Sequence, residues 1–152
     1  MEPFPHRYQV TAAGRSDGSV ELRSHGVPVL RSAPPPQFGG PGDQWSPETL
    51  LVAALADCFI LTFRAVARAS KLPWLSLDCD VTGTLERTDR AQFTRFDIVA
   101  NLSVDAEADV SLAHRALKKA ERNCLVSSSL KAECVLTHNV AVAEAIGSAA
   151  GE

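Results

Sequence analysis

Residues 46–70 read SPETLLVAALADCFILTFRAVARAS, and how this stretch is read decides the fold. Ser46 is a helix N-cap by type, Pro47 suits the first helical position, and Glu48 is an acid where the helix dipole favours one. Apolar residues then cover nearly the whole circumference through Phe63, and the helix stops after Ser70, ahead of Pro73. A helix that is apolar on every side must be surrounded, by lipid or by protein. Asp57, Arg64 and Arg68 interrupt the run, and such charges cost about 2.5–3.5 kcal/mol each near the centre of a bilayer. The stretch therefore reads as the core helix of a soluble protein, with no membrane partner. One small sheet cannot cover all of it, so a second copy of the chain is expected to complete its burial.

Upstream, SAPPPQFGGPGDQW (32–45) holds four prolines and three glycines and reads as a loop. Before it, Tyr8 to Leu30 reads as short strands with Ser16-Asp17-Gly18 as a hairpin turn. Downstream, Leu77, Cys79, Val81 and Leu85 alternate with polar residues as one half-buried strand. Phe96, Ile98, Ala100, Leu102 and Val104 form a second alternating set after a turn at Thr88 to Gln92. A second helix starts at Asp109 or Ser111, with Ala113, Leu117, Ala120 and Cys124 on one face. Glu133 to Val140 is a final strand, and residues 141–152 are a short helix or frayed tail. This order predicts an α+β fold in one domain spanning 1–152, its helices packed against a mainly antiparallel sheet. Trp45 and Trp74, at the two ends of the long helix, are expected packing anchors.

The 152 residues are 45% hydrophobic and 22% charged, which fits one globular domain. A net charge of −3 gives no reason to expect nucleic acid as a partner. The opening MEPFPHRYQV lacks the apolar run of a secretory signal, so a cytoplasmic location is expected. The cysteines at 58, 79, 124 and 134 contain no CxxC pair, and the histidines at 6, 25, 114 and 138 form no metal spacing with them. No metal or prosthetic group is expected. Lys118, Lys119 and Arg122 read as a solvated helix face.

A free cysteine in an apolar helix is ordinarily packing, and Cys79 and Cys134 are read that way. For Cys58 to be a nucleophile it must ionise, whereas burial raises a thiol above its usual value of about 8.5. The start of its own helix is about three turns away, too far for the dipole to act. A cation from elsewhere in the fold is required.

SPETLLVAALADCF (46–59), followed by AERNCLVSSSL (120–130), resembles the OsmC/Ohr family of thiol-dependent hydroperoxide reductases. The resemblance covers most of the chain, including the Gly/Pro loop and the order of elements. It implies an OsmC-like fold assembled as an intertwined homodimer. It also implies that Cys58 is the peroxidatic cysteine, Cys124 the resolving one and Glu48 the active-site glutamate. Arg15, in AAGRSDG (12–18), matches an arginine of the organic-peroxide branch. Its guanidinium would hold the thiolate, with Glu48 as its bidentate partner. Glu48 and Cys58 are separated by about 15 Å of helix rise, so Glu48 is expected to serve the site of the neighbouring chain.

The implied substrate is an organic hydroperoxide, and the implied reductant a dithiol such as a lipoylated protein. Asp57 and Leu125 depart from the family pattern, which commonly has a small residue and often a proline at those positions. Two other readings stay open: an apolar-ligand-binding protein on the same fold without turnover, and a protein-disulfide oxidoreductase using the same cysteines.

Overall fold

A computed structural model of the chain describes residues 2–143. The chain divides into two compact units, the first ending at Leu51 and the second beginning at Val52.

The first unit is an antiparallel meander of β1 (Thr11–Ala13), β2 (Val20–Arg23) and β3 (Leu30–Ser32), with β2 in the middle. The expected turn is present, with Gly18 at φ 81. The Gly/Pro segment folds as a loop with a short 3-10 turn at Pro36–Phe38. Glycine is required at Gly40, where an added Cβ would lie 1.5 Å from the carbonyl oxygen of Pro34. The loop closes where the Ala33 N–H donates to the Trp45 carbonyl at 2.8 Å. Trp45 itself is 48% exposed, so the contact it makes here is through its backbone.

Helix α1 (Pro47–Ala69) starts at the end of this unit and continues into the next. Its start is a reciprocal cap with threonine at the third helical position. The Thr49 N–H donates to Ser46 Oγ at 3.1 Å, and the Ser46 N–H donates to Thr49 Oγ1 at 2.9 Å. Its end is a Schellman turn: Lys71 takes a left-handed φ of 54, while Leu72 donates to the Ala67 carbonyl and Lys71 to that of Arg68.

The second unit holds β4 (Ser76–Arg87), β5 (Ala91–Val104), α2 (Val110–Asn123), α3 (Leu125–Ser128) and β6 (Glu133–Val142). The three strands form one sheet in the order β4-β5-β6. β4 and β5 are an antiparallel hairpin, whereas β6 joins β5 in parallel. A parallel neighbour needs a crossover, and α2 supplies it, packing on β5 and β6. The other strand pairings are antiparallel.

All five alternating residues of β5, from Phe96 to Val104, are buried. On β4 the burial ends late: Leu85 is 40% exposed, next to a register shift between Thr84 and Leu85. Phe59, Phe63, Val66 and Ala67 of α1 join Ala100, Leu102 and Val104 of β5 and Ala113, Ala116, Leu117 and Ala120 of α2 in one core. Trp74 meets Phe63 edge-on, with ring centroids 5.3 Å apart, as an anchor should.

The burial of α1 is one-sided. Leu55, Phe59, Phe63, Val66 and Ala67 form its buried stripe, while Leu61 is 49% exposed in the single chain. The expected tail lies outside the described residues beyond Ala143, although β6 itself extends to Val142.

Candidate active site

The two cysteines singled out in the sequence meet within the second unit. Cys58 is half-buried in the middle of α1, and Cys124 is buried where α2 ends and α3 begins. Cys124 has an extended backbone, φ −66 and ψ 117, which ends one helix and caps the next. The first N–H groups of a helix have no partner within it, and the backbone of Val126 and, more weakly, that of Leu125 favour the Cys58 thiolate.

The Cys58 thiol responds to two opposed effects. Burial pushes it up. Hydrogen bonds to its sulfur from the Val126 backbone, the Cys124 thiol, the Thr62 hydroxyl and the Leu125 backbone outweigh that, and the thiol lies below its ordinary value. Thr62 Oγ1 stands one helical turn away, 3.9 Å from the sulfur. Asp57 is exposed and does not belong to the set of groups acting on this thiol.

Cys124 moves the opposite way. Burial raises it, and donating its proton to Cys58 beside the charge there raises it further, against the pull of the Ser127 backbone and hydroxyl. The pair is therefore polarised, with the Cys58 thiol shifted down and the Cys124 thiol shifted up. Ser127 and Ser128 fix the break by donating their hydroxyls to the Cys124 carbonyl at 3.0 and 2.8 Å.

The remaining thiols are poor nucleophiles at neutral pH. Burial, with Asp80 and Cys124 nearby, pushes Cys79 up to about 11. Burial, Glu121 and Cys124 raise Cys134.

Arg15 and Glu48 belong to the first unit. Arg15 is exposed in the turn after β1 and lines a polar groove with Asp17, Glu21, Arg23 and Arg31. Glu48 is half-buried, and its Oε2 is enclosed with no hydrogen-bond partner among the described residues. The two make no ion pair with each other.

Sequence reasoning asked for a cation and missed the uncharged donors of α3. Their signal was present: Cys124 precedes Leu-Val-Ser-Ser-Ser, and serines in such a run hold a chain break by bonding to backbone. Thr62, four residues beyond Cys58 and so on the same side of the helix, was equally legible.

A family profile for the OsmC-like proteins matches residues 40–139. Over 102 residues the chain is 34% identical to the uncharacterized protein YmaD of Bacillus subtilis (strain 168), covering 64% of this chain and 67% of that one. Three solved structures are similar across most of the chain. An OsmC-like protein of unknown function from Vibrio cholerae has 16% identity and a TM-score of 0.78, over 89% of this chain and 100% of that one. An organic hydroperoxide resistance protein, OsmC, from Legionella pneumophila has 24% identity and a TM-score of 0.70, over 92% and 100%. An organic hydroperoxide resistance protein from Elizabethkingia anophelis has 19% identity and a TM-score of 0.73, over 93% and 100%. At these identities the structural likenesses establish the fold.

Proposed function

The chain belongs to the OsmC-like protein family, and from that premise we propose that it is a thiol-dependent peroxidase acting on organic hydroperoxides. One observation carries this reading: the Cys58 thiol is held below its ordinary value and the Cys124 thiol above its own, each acting on the other. A nucleophile and a resolving thiol need that arrangement, whereas two packing cysteines do not.

In the proposed cycle the Cys58 thiolate attacks the distal oxygen of the peroxide. The O–O bond breaks, the alkoxide leaves and takes a proton to become the alcohol, and Cys58 becomes a sulfenic acid. The Cys124 sulfur then attacks the sulfenic sulfur. An S–S bond forms, and the hydroxyl departs as water with the Cys124 proton. An external dithiol reduces the disulfide by two exchange steps and is itself oxidised to a disulfide. A lipoylated protein is one dithiol of this kind.

Phe59 and Phe63 belong to the core, but Leu61, one turn from Cys58, and Leu125 are exposed apolar side chains. They favour an alkyl peroxide over hydrogen peroxide. Arg15 and Glu48 remain the proposed guanidinium and its carboxylate partner, with Glu48 provided by the second chain of a homodimer.

The test is rapid-mixing oxidation by an organic hydroperoxide, followed by thiol counting. The wild type should lose two thiols per chain and form one disulfide. Cys58→Ser should not react, and Cys124→Ser should stop at a sulfenic acid trapped by dimedone. Equal peroxide consumption by wild type and Cys58→Ser would exclude this function and favour a binding protein on the same fold.

A further inference from the structure

Two of the four histidines, which show no metal spacing in the sequence, are brought together by the crossover topology. His114 on α2 and His138 on β6, 24 residues apart, place their Nδ1 atoms 3.1 Å from each other, with ring centroids 5.0 Å apart and planes inclined by 47°. Both are half-buried. Two neutral imidazoles at this distance can share an N–H···N bond. In a linear bond of that kind each centroid lies about 1.1 Å behind its nitrogen, which would put the centroids about 5.3 Å apart. The observed rings are closer, so their lone-pair axes are not collinear and a hydrogen bond between them is bent.

That geometry is also the bite of a metal. Two imidazole nitrogens held 2.0–2.1 Å from one ion at an angle of about 100° lie about 3.1–3.2 Å apart, with their rings about 4.9 Å apart at the centroids. We propose that His114 and His138 form a bidentate, imidazole-only site for a late first-row divalent cation, with copper(II) bound most tightly.

The ring that donates in the hydrogen-bonded pair moves its proton from Nδ1 to Nε2, leaving both Nδ1 lone pairs for the ion. Among the described residues no cluster of three or more His, Cys, Asp or Glu side chains is placed to hold a metal, so water completes the coordination. His138 opens onto a groove lined by Lys118, Glu121, Arg122 and Cys134. Lys118 and Arg122 oppose a cation there, but both are exposed and their charged ends can turn to solvent. Glu121 offsets part of that charge. The ion would tie α2 to β6, so binding should also raise the melting temperature.

The experiment uses full-length Cys58→Ser/Cys124→Ser protein, which keeps reactive thiols from reducing the probe. Copper(II) chloride is titrated in, and binding is followed by calorimetry, electron paramagnetic resonance and visible absorption. The expected result is one copper per chain with hyperfine splitting from two nitrogens, no intense sulfur-to-copper absorption, and a raised melting temperature. His114→Gln and His138→Gln keep a polar amide in place of the ring, and each should lose both the two-nitrogen signal and the rise in melting temperature. Copper bound with an unchanged spectrum in both variants would overturn the site. So would a sulfur-to-copper band, which would assign the metal to Cys79 or Cys134. Proper folding of each variant is read from its metal-free circular dichroism, so a lost signal in a folded protein can be assigned to the missing ring.

Discussion

Leu125→Pro removes one donor from the Cys58 sulfur and changes little else. Proline is well suited to the first position of a helix, because the N–H it lacks is unused by the helix. Here that N–H serves Cys58. The residue before a proline must be extended, and Cys124 already is, at φ −66 and ψ 117. The Leu125 side chain is 72% exposed, so its loss removes little packing. A hydrogen bond to a charged group contributes about 1.5–3 kcal/mol, and partial exposure of Cys58 places this one at the lower end. At about 1.4 kcal/mol for each factor of ten, the Cys58 thiolate population at neutral pH should fall by up to about tenfold. The assay is iodoacetamide alkylation as a function of pH, read at the Cys58 peptide by mass spectrometry. The midpoint should move to higher pH and the rate at neutral pH should drop by up to about tenfold, with the alkaline plateau unchanged. A folded variant whose midpoint stays in place, or moves down, would refute the assignment of the Leu125 N–H as a donor to the thiolate, the stronger Val126 group being retained. Proline is also the residue the family often carries here, so the variant tests whether leucine gives this chain a donor that such relatives lack.

Thr62→Val keeps the shape of the side chain but removes its hydroxyl from the Cys58 sulfur, 3.9 Å away. Its alkylation midpoint should move up by at least as much as that of Leu125→Pro, and a smaller movement would invert the ranking of donors. Gly83→Ala sets a Cβ 2.9 Å from ring carbons of both Phe93 and Phe96 and 3.0 Å from Val52 Cγ2. Overpacking of this kind costs about 1–3 kcal/mol; an unchanged urea midpoint would mean that the stacked rings yield freely. Burial, His114 and Lys118 hold the His138 imidazole below its ordinary value. As pH falls the unfolded chain takes up this proton first, so the contribution of the neutral ring is complete above about pH 6.5 and declines below it. Urea denaturation in chelator-treated buffer should show a decline that is shallower in His138→Gln, and parallel curves would remove His138 from the pH dependence.

The parts of the fold legible in the sequence are those whose chemistry is local. Ser46-Pro47 marked the start of α1, and the β5 set from Phe96 to Val104 is buried as its alternation requires. Period-two alternation says which face a residue occupies but not the direction of its neighbour, so the parallel pairing of β6 had no signature in residues 133–142. A bulge likewise leaves no mark on composition, and Leu85, placed on the core side, is 40% exposed beside the register shift. The α1 stop was read from Pro73, whereas the chain turns earlier, at a left-handed lysine where glycine is the usual signal. At the site, both sulfurs were identified from their motifs. A side-chain charge beside Cys58 was sought because side chains are what a sequence displays; the backbone groups that lower its thiol emerge only once the break at Cys124 is seen.

Two features of the single chain call for the same complement. The Glu48 carboxylate has an enclosed oxygen with no partner among the described residues, and an unsatisfied buried group costs about 1–3 kcal/mol, more when charged. On the same helix, Leu61 and much of the apolar circumference are left partly exposed, against the tendency of such surface to leave water. A second copy packed along α1 would cover the apolar face, and a guanidinium reaching Glu48 in that assembly would satisfy the carboxylate. Either defect alone could be met by solvent or by a shift of one side chain. Both on one helix favour a chain completed by its own copy. Glu48→Gln should then weaken self-association measured by sedimentation as well as slow peroxide turnover, whereas an acid that only caps α1 would change neither.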